Sequence, residues 1–241
     1  MSYVKDFIRG SLARGGWFVR RTAGLPAGVN FEYDLLSTAR LPSPKVMLDV
    51  GGHRGETAER FTLSFPLARV ISFEPVAANF AVLKSRAKAW PRVECHQLAL
   101  GARAETVEIV LQTDSQTNTL RERANPERGN AKSEKIAVTT LDEIAAKLGI
   151  DQIDLLKIDT EGYELAVLAG GANLFREGRI KSILLEATLD PADTTHTALP
   201  AVCDFLRPHG YNLAALYDQV IWREPVRLAY FNALFVPATT P

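Results

Sequence analysis

Short apolar runs alternate with amphipathic segments along the central part of the chain. From Lys45 onward, apolar runs with the length of buried strands are separated by segments whose apolar residues recur at helical spacing. This alternation predicts right-handed βαβ units and an α/β fold built on a doubly wound parallel sheet. The predicted strands are KVMLDVGG, ARVISFEP, RVECHQLAL, DLLKID and IKSILLEA, and the predicted helices are GETAERFTLSF, AANFAVLKSRAKAW, TLDEIAAKL, ELAVLAGGANLF and LPAVCDFLRPHG.

The alternation breaks in the middle of the chain. Two predicted strands, TVEIVLQ and EKIAVTT, lie around the polar stretch Thr113–Lys135. Loops of this length are uncommon inside compact domains and are often functional. The stretch is either a surface hairpin without fixed structure or a mobile flap over a substrate. Thr140 and Glu143 then predict a capping box at the next helix, and YNLAAL and FNALFV predict the final strands.

The N-terminal segment, residues 1–24, is locally basic and carries apolar residues at roughly helical spacing. We expect a helix that packs on the main domain, as an extension or a lid. The alternative is a basic amphipathic helix that contacts a membrane surface peripherally. The predicted organisation is therefore a helical extension over residues 1–44 and a principal domain over residues 45–241.

Composition narrows the class of protein. The 241 residues, 46% of them hydrophobic, suffice for one large α/β domain, and 28 basic residues balance 28 acidic ones. This balance argues against a nucleic-acid partner. The two cysteines, Cys95 and Cys203, favour buried thiols in a reducing compartment. Because there is neither an apolar run of ~18 residues nor a signal peptide, the sequence predicts a cytoplasmic protein.

The segment LDVGGHRGET joins the first predicted strand to the first helix, where a doubly wound sheet binds its ligand. A nicotinamide fingerprint would need further glycines at His53 and Glu56, so a dehydrogenase is disfavoured. Carboxylates at Asp49 and Glu56 also disfavour a pyrophosphate. The remaining spacing, Asp49-x-Gly51-x-x-x-Gly55, suits a ligand that carries positive charge, and S-adenosylmethionine has both an ammonium and a sulfonium. The alternative is a turn whose glycines are purely structural.

The ends of the next two strands supply further candidate contacts. Glu74, in SFEP, is placed to accept hydrogen bonds from both ribose hydroxyls of a nucleoside. Leu98 and Ala99 offer apolar surface to an adenine, unless they belong only to the core. The predicted cofactor-binding residues are Asp49, Gly51, Gly52, His53, Gly55, Thr57, Glu74, Pro75, Leu98 and Ala99.

The fourth predicted strand ends in two acids, Asp159 and Glu161, beside the expected position of the reacting carbon. They have three interpretations: they accept or orient the proton of an acceptor hydroxyl, they hold a divalent metal that binds a diol, or they cap the next helix. Lys157, costly inside a strand unless paired, is expected to pair with Asp159 or Glu186. With His53, which is placed to contact the cofactor or the acceptor, Asp159 and Glu161 are the candidate catalytic residues.

The chain resembles the FkbM family of S-adenosylmethionine-dependent methyltransferases in four segments. In chain order, these segments are VMLDVGGHRGET, ISFEP, TLDEIAAKLGIDQIDLLKIDTEGYELAVLAGGANLF and IKSILLEA. The resemblance covers roughly Lys45 to Ala187. It implies a seven-stranded, mostly parallel class I methyltransferase fold and O-methylation of a sugar, glycolipid or natural product. Asp159 and Glu161 match the family's DxEG, whereas His53 stands where the family more often has asparagine.

Two other functions remain as alternatives. A nucleic-acid methyltransferase would share the sheet, and several basic residues do fall between Arg121 and Lys135, but acidic residues are interspersed among them. A non-catalytic module that binds a nucleoside is the second. Loss of turnover without loss of cofactor affinity on replacing Asp159 or Glu161 would distinguish an enzyme from such a module.

Overall fold

The computed structural model describes residues 14–15, 21, 24–37, 41, 43–110 and 133–238. The strands are β1 (Val46–Val50), β2 (Arg69–Phe73), β3 (Val93–His96), β4 (Ala99–Leu100), β5 (Glu105–Val110), β6 (Ser133–Thr139), β7 (Leu155–Ile158), β8 (Ile183–Ala187), β9 (Tyr211–Arg223) and β10 (Val226–Pro237). The α-helices are α1 (Phe31–Ser37), α2 (Glu56–Ser64), α3 (Ala77–Arg86), α4 (Leu141–Lys147), α5 (Glu164–Ala169), α6 (Ala172–Arg176) and α7 (Leu199–Leu206).

Seven strands form the main sheet, in the order β3-β2-β1-β7-β8-β10-β9. The first five in this order pair in parallel, whereas β10 is antiparallel to both β8 and β9. The predicted doubly wound, mostly parallel seven-stranded sheet is confirmed. The chain runs outward from β1 to β3 and then returns to place β7 on the other side of β1. Ligands bind outside the carboxyl ends of strands at such a switch point, so this topology locates the site.

Both faces of the sheet are buried, because successive strand residues point to opposite sides. Leu48 packs with helices α4 to α7 on one face, and Met47 packs with α1 and α2 on the other. On the second face, Phe31 of α1 makes an edge contact with Tyr217, whose hydroxyl donates a 2.8 Å hydrogen bond to Asp34. Helix α1 thus belongs to the core of this face.

Two predicted elements are divided in the structure. The predicted strand RVECHQLAL ends as β3 at His96, the Leu98 amide donates back to the His96 carbonyl, and β4 joins a second sheet with the order β4-β6-β5. The predicted helix ELAVLAGGANLF is interrupted between α5 and α6, where Gly170 lies against the backbone of Gly101. The capping box of Thr140 and Glu143 is confirmed.

Two other predictions fall largely outside the described residues. They are the amphipathic helix over residues 1–24 and the polar stretch over residues 113–135, of which the structure describes only residues 14–15, 21, 24 and 133–135. None of the helices in the described part of the chain has the length and apolar character needed to span a bilayer.

Candidate functional site

The turn between β1 and α2 is built around close backbone contacts. Gly51 and Gly52 both donate hydrogen bonds to the Phe73 carbonyl, at 3.0 and 2.9 Å. A Cβ atom on Gly51 would lie 1.8 Å from the Asp159 carbonyl oxygen, and one on Gly52 would lie 2.0 Å from Ser72 Oγ. Gly51 also has a φ of 86°, which favours glycine. The turn therefore lies directly on β2 and β7, and side chains at these two positions would displace it.

Asp49 lies beneath this turn and is fully buried. Ser72 Oγ donates a 2.8 Å hydrogen bond to its Oδ2, and Lys157 Nζ lies 3.4 Å from its Oδ1. The Lys157 ammonium also lies 3.1 Å from Asp159 Oδ2, so the predicted pairing of Lys157 with Asp159 is confirmed. Burial by itself lowers the pKa of Lys157, but the charges of Asp159 and Asp49 outweigh burial and raise that pKa above its usual range.

Glu74 follows β2 and is 5% exposed. The backbone amides of His53 and Val76 each donate a 2.9 Å hydrogen bond to a different oxygen of its carboxylate. Burial, with a smaller contribution from the charge of Asp49, raises the pKa of Glu74 to about 7 against these hydrogen bonds. The Asn79 side chain also hydrogen-bonds to this carboxylate, so these three bonds leave one of its four acceptor sites.

A cavity of about 310 Å³ opens at the carboxyl ends of β1, β2 and β7, a volume within the usual range for small-molecule sites. Most of the predicted site residues line it, whereas Asp49 and Gly55 do not. Gly55 instead ends the turn before α2. The predicted residues that line the cavity are Gly51, Gly52, His53, Thr57, Glu74, Pro75, Leu98, Ala99, Asp159 and Glu161.

Three carboxyl groups meet at one end of the cavity: Asp159 and Glu161 after β7, and Glu186 on β8. Burial and the neighbouring charges of Asp159 and Glu161 raise the pKa of Glu186 to about 9, with Lys157 acting in the opposite direction. Burial and these charges therefore favour the protonated form of Glu186. A positive charge entering this end of the cavity would lower the pKa of Glu186 and favour its ionised form.

The turn that carries Glu161 is held by a different acid. Glu161 itself has a φ of 56°. The buried carboxylate of Glu164 accepts hydrogen bonds from the Thr160 amide at 2.9 Å, the Thr160 hydroxyl at 3.0 Å and the Gly162 amide at 3.2 Å. The residue at the N-cap position of α5 is Tyr163, so helix capping does not account for Asp159 and Glu161.

Sequence reasoning missed the role of a loop histidine. His196 lies with Nε2 at 3.3 Å from Glu186 Oε2 and with Nδ1 at 2.7 Å from Asp193 Oδ2. Its ring stacks on Tyr230 of β10, with 4.2 Å between ring centres. Tyr230 lines the cavity. The sequence signal was the close spacing of Asp193 and His196, but nothing local connects them with Glu186 or Tyr230.

Comparison with known proteins adds independent information. A family model described as the methyltransferase FkbM domain matches residues 49–213. The chain is also 25% identical over 215 residues to the AMB antimetabolite synthetase AmbE of Pseudomonas aeruginosa, a match that covers 75% of this chain and 10% of AmbE. The chain therefore spans about a tenth of the length of that curated relative.

Two solved structures illustrate the structural similarity. An rRNA methylase from Streptococcus thermophilus superposes with a TM-score of 0.50 and 10% identity, covering 92% of this chain and 100% of that one. A precorrin-6y C5,15-methyltransferase from Geobacter metallireducens has a TM-score of 0.45 and 17% identity, covering 85% and 87% of the two chains. At this level of identity, the likeness to the rRNA methylase shows a common fold.

Proposed function

Because the chain belongs to the FkbM methyltransferase family, we propose that it transfers a methyl group from S-adenosylmethionine to a hydroxyl oxygen of a sugar, glycolipid or other natural product. Membership of the family makes the chain a methyltransferase that uses S-adenosylmethionine, and its sheet is that of the class I methyltransferases. The proposal concerns the acceptor atom, the acceptor class and the residues that act.

The residues along the β1 and β2 side of the cavity fit the cofactor. Gly51 and Gly52 let the turn lie close against β2 and the end of β7. The Glu74 carboxylate keeps acceptor capacity for a ribose hydroxyl beyond its bonds to His53, Val76 and Asn79. Leu98 and Ala99 contribute apolar surface to the same cavity. When bound, S-adenosylmethionine supplies a methyl group activated by a positively charged sulfur. Asp49, buried beneath the turn, would act through its charge.

The observation that carries the proposal is the group of acids in this cavity. Asp159, Glu161 and Glu186 line it together with the glycine turn. A hydroxyl must lose its proton as it attacks the methyl carbon, and a carboxylate within hydrogen-bonding reach can accept or orient that proton. Asp159, which is 36% exposed and paired with Lys157, is the candidate base. Glu161 and Glu186 are candidates for orienting the acceptor by hydrogen bonds.

The similarity to AmbE supports a small natural product as the acceptor. AmbE is named as an antimetabolite synthetase, and the segment that resembles this chain is a minor part of it. Similarity to a segment of an antimetabolite synthetase favours a small acceptor. We extend the proposal to the compartment: Cys95 and Cys203 are free thiols in the structure, which supports the cytoplasmic location expected from the sequence.

The test follows methyl transfer to panels of sugars and natural-product alcohols, with the methylated position identified by mass spectrometry and NMR. We expect an O-methyl product. Asp159→Asn and Glu161→Gln should lower turnover by about 10²–10⁴-fold while calorimetry shows cofactor affinity within a few fold of wild type. The matched control is Asp151→Asn, because Asp151 is exposed and lies at the opposite end of β7. Methylation at nitrogen or carbon, or unchanged turnover in both variants, would contradict the proposal.

A further inference from the structure

Three metal-ligating side chains converge beside the cavity. One ligand atom from each of Glu161, Glu186 and His196 lies within 4.8 Å of the others. Glu161 and Glu186 line the cavity, and His196 reaches the same place from the loop that follows β8. The three come from different parts of the chain, so their convergence is a product of the fold and not of local sequence.

Asp193 and Tyr230 orient the imidazole of His196. Its Nδ1 lies 2.7 Å from Asp193 Oδ2, while Asp193 Oδ1 accepts hydrogen bonds from the amides of Thr195 and His196 at 2.7 and 3.0 Å. Stacking on Tyr230 fixes the plane of the ring. These contacts leave Nε2 directed at Glu186, 3.3 Å away. A carboxylate behind a histidine that presents its other nitrogen is the usual arrangement around metal-binding histidines.

The backbone segments that carry these side chains are tied together through Glu164. One oxygen of its carboxylate accepts hydrogen bonds from Thr160 and Gly162, on either side of Glu161. The other accepts a hydrogen bond from the hydroxyl of Thr197, the residue after His196. The Thr188 amide, two residues beyond Glu186, donates to the Thr197 carbonyl at 3.0 Å. The three side chains are thus held in fixed relation, as a binding site requires.

The local charge also favours a cation. Asp159, Glu161 and Glu164 all act on Glu186 with the same sign of charge, and Lys157 offsets them only in part. A divalent ion at this place would neutralise part of this excess of negative charge. One imidazole nitrogen with two carboxylates suits a first-row transition ion better than Ca²⁺ or Mg²⁺, which prefer all-oxygen sites.

We propose that Glu161, Glu186 and His196 bind a divalent first-row cation such as Mn²⁺, with Asp193 as a positioning residue for His196. The cation would polarise an oxygen of the acceptor, so that the substrate is an oxygen-rich molecule such as a diol or a sugar. Its role in the reaction rests on the proposed function, whereas its binding does not.

The test measures Mn²⁺ binding without any acceptor. The full chain, treated with EDTA, dialysed and loaded with S-adenosylhomocysteine, is titrated with Mn²⁺ and followed by electron paramagnetic resonance and calorimetry. We expect one saturable site per chain. Glu186→Gln and His196→Gln should each weaken the affinity at least about tenfold, and Asp193→Asn should weaken it by about 10–100-fold. The matched control, Glu177→Gln, changes an exposed glutamate far from the cavity and should bind like wild type.

The affinity for S-adenosylhomocysteine and the thermal unfolding midpoint are measured for each variant. If both are unchanged, a loss of Mn²⁺ binding is not caused by a loss of folding. No saturable Mn²⁺ site in the wild type, or equal affinity in Glu186→Gln, His196→Gln and wild type, overturns the inference. Neither outcome bears on O-methylation. If the chain methylates a hydroxyl without binding Mn²⁺, only the cation site is contradicted. A chain that binds Mn²⁺ through these residues but methylates no hydroxyl contradicts only the proposed function.

Discussion

Asp49 and Lys157 are register partners on the adjacent strands β1 and β7, and their side chains form an ion pair of 3.4 Å beneath the glycine turn. Asp49 is fully buried and Lys157 is 5% exposed. Buried charges are costly unless they are paired, and Lys157 meets this condition by also contacting Asp159 at 3.1 Å. One ammonium thus links the acid under the turn to the acid at the cavity.

Lys157→Met should therefore destabilise the fold strongly. The variant leaves Asp49 buried with Ser72 as its remaining hydrogen-bond partner, and breaking a buried pair in this way typically costs about 3–5 kcal/mol. Urea denaturation measures the loss. The control Lys147→Met replaces an exposed lysine and should stay within about 0.5 kcal/mol of wild type. Equal stability of the two variants would show that the pair does not contribute.

The strand ends could be predicted from the sequence because their signals are local. Apolar runs followed by Gly51, by Glu74 and Pro75, or by Asp159 and Glu161 marked both the parallel sheet and its ligand edge. Placing these residues at one cavity needed only the rule that carboxyl ends of parallel strands share an edge. The structure brings all five of them to that cavity.

The remainder of the site depends on contacts between distant segments. His196 meets Glu186 and Tyr230 only because β10 inserts between β8 and β9. No periodicity or spacing encodes that order of strands. The pairing of Asp49 with Lys157 was missed for a related reason: register between β1 and β7 is set by packing of both strands, not by either one alone.

Gly51→Ala should destabilise the fold by more than the strain of a positive φ alone explains. The new Cβ would lie 1.8 Å from the Asp159 carbonyl oxygen, so the turn must move away from β7. Gly149→Ala is the matched control, because Gly149 also has a positive φ, of 61°, but no atom within 4 Å of the added Cβ. Gly149→Ala should lose about 1–2 kcal/mol.

In the same urea experiment, Gly51→Ala should lose at least about 2 kcal/mol more than Gly149→Ala, since overpacking adds to the cost of the backbone conformation. Cofactor affinity, measured by calorimetry on the folded variant, should fall at least tenfold for Gly51→Ala alone. Similar losses of stability and affinity in the two variants would indicate that the contact with Asp159 is unimportant.

Glu74 should make cofactor binding depend on pH around neutrality. The pKa of Glu74 is raised to about 7, so without a ligand its carboxyl group is partly protonated near neutral pH. A ribose hydroxyl donates to the ionised carboxylate, so binding lowers this pKa and releases up to about half a proton at pH 7. Affinity should rise between pH 6 and 8 and then level off.

The ligand for this measurement is S-adenosylhomocysteine, whose sulfur carries no charge and so perturbs Glu186 less. Calorimetry in buffers of different ionisation enthalpy gives the protons released. Glu74→Gln should bind more weakly and lose the part of the pH dependence that belongs to Glu74. An unchanged proton release in Glu74→Gln would assign the titration to another group.

Glu164 should matter for both stability and turnover, although it does not line the cavity. It is 1% exposed and accepts hydrogen bonds from Thr160, Gly162 and Thr197. Glu164→Ala leaves these donors without their acceptor, at a cost of about 1–3 kcal/mol for each buried group left unsatisfied. Glu164→Gln keeps one oxygen for Thr160 and Gly162, while its amide can donate to the Thr197 hydroxyl.

Urea denaturation and turnover measure the effect of these variants. We expect both stability and turnover to be highest in wild type, lower in Glu164→Gln and much lower in Glu164→Ala. The control Glu177→Ala, which changes an exposed glutamate, should stay close to wild type. Equal turnover in the two Glu164 variants, at matched folded fractions, would mean that the turn carrying Glu161 keeps its geometry without this carboxylate.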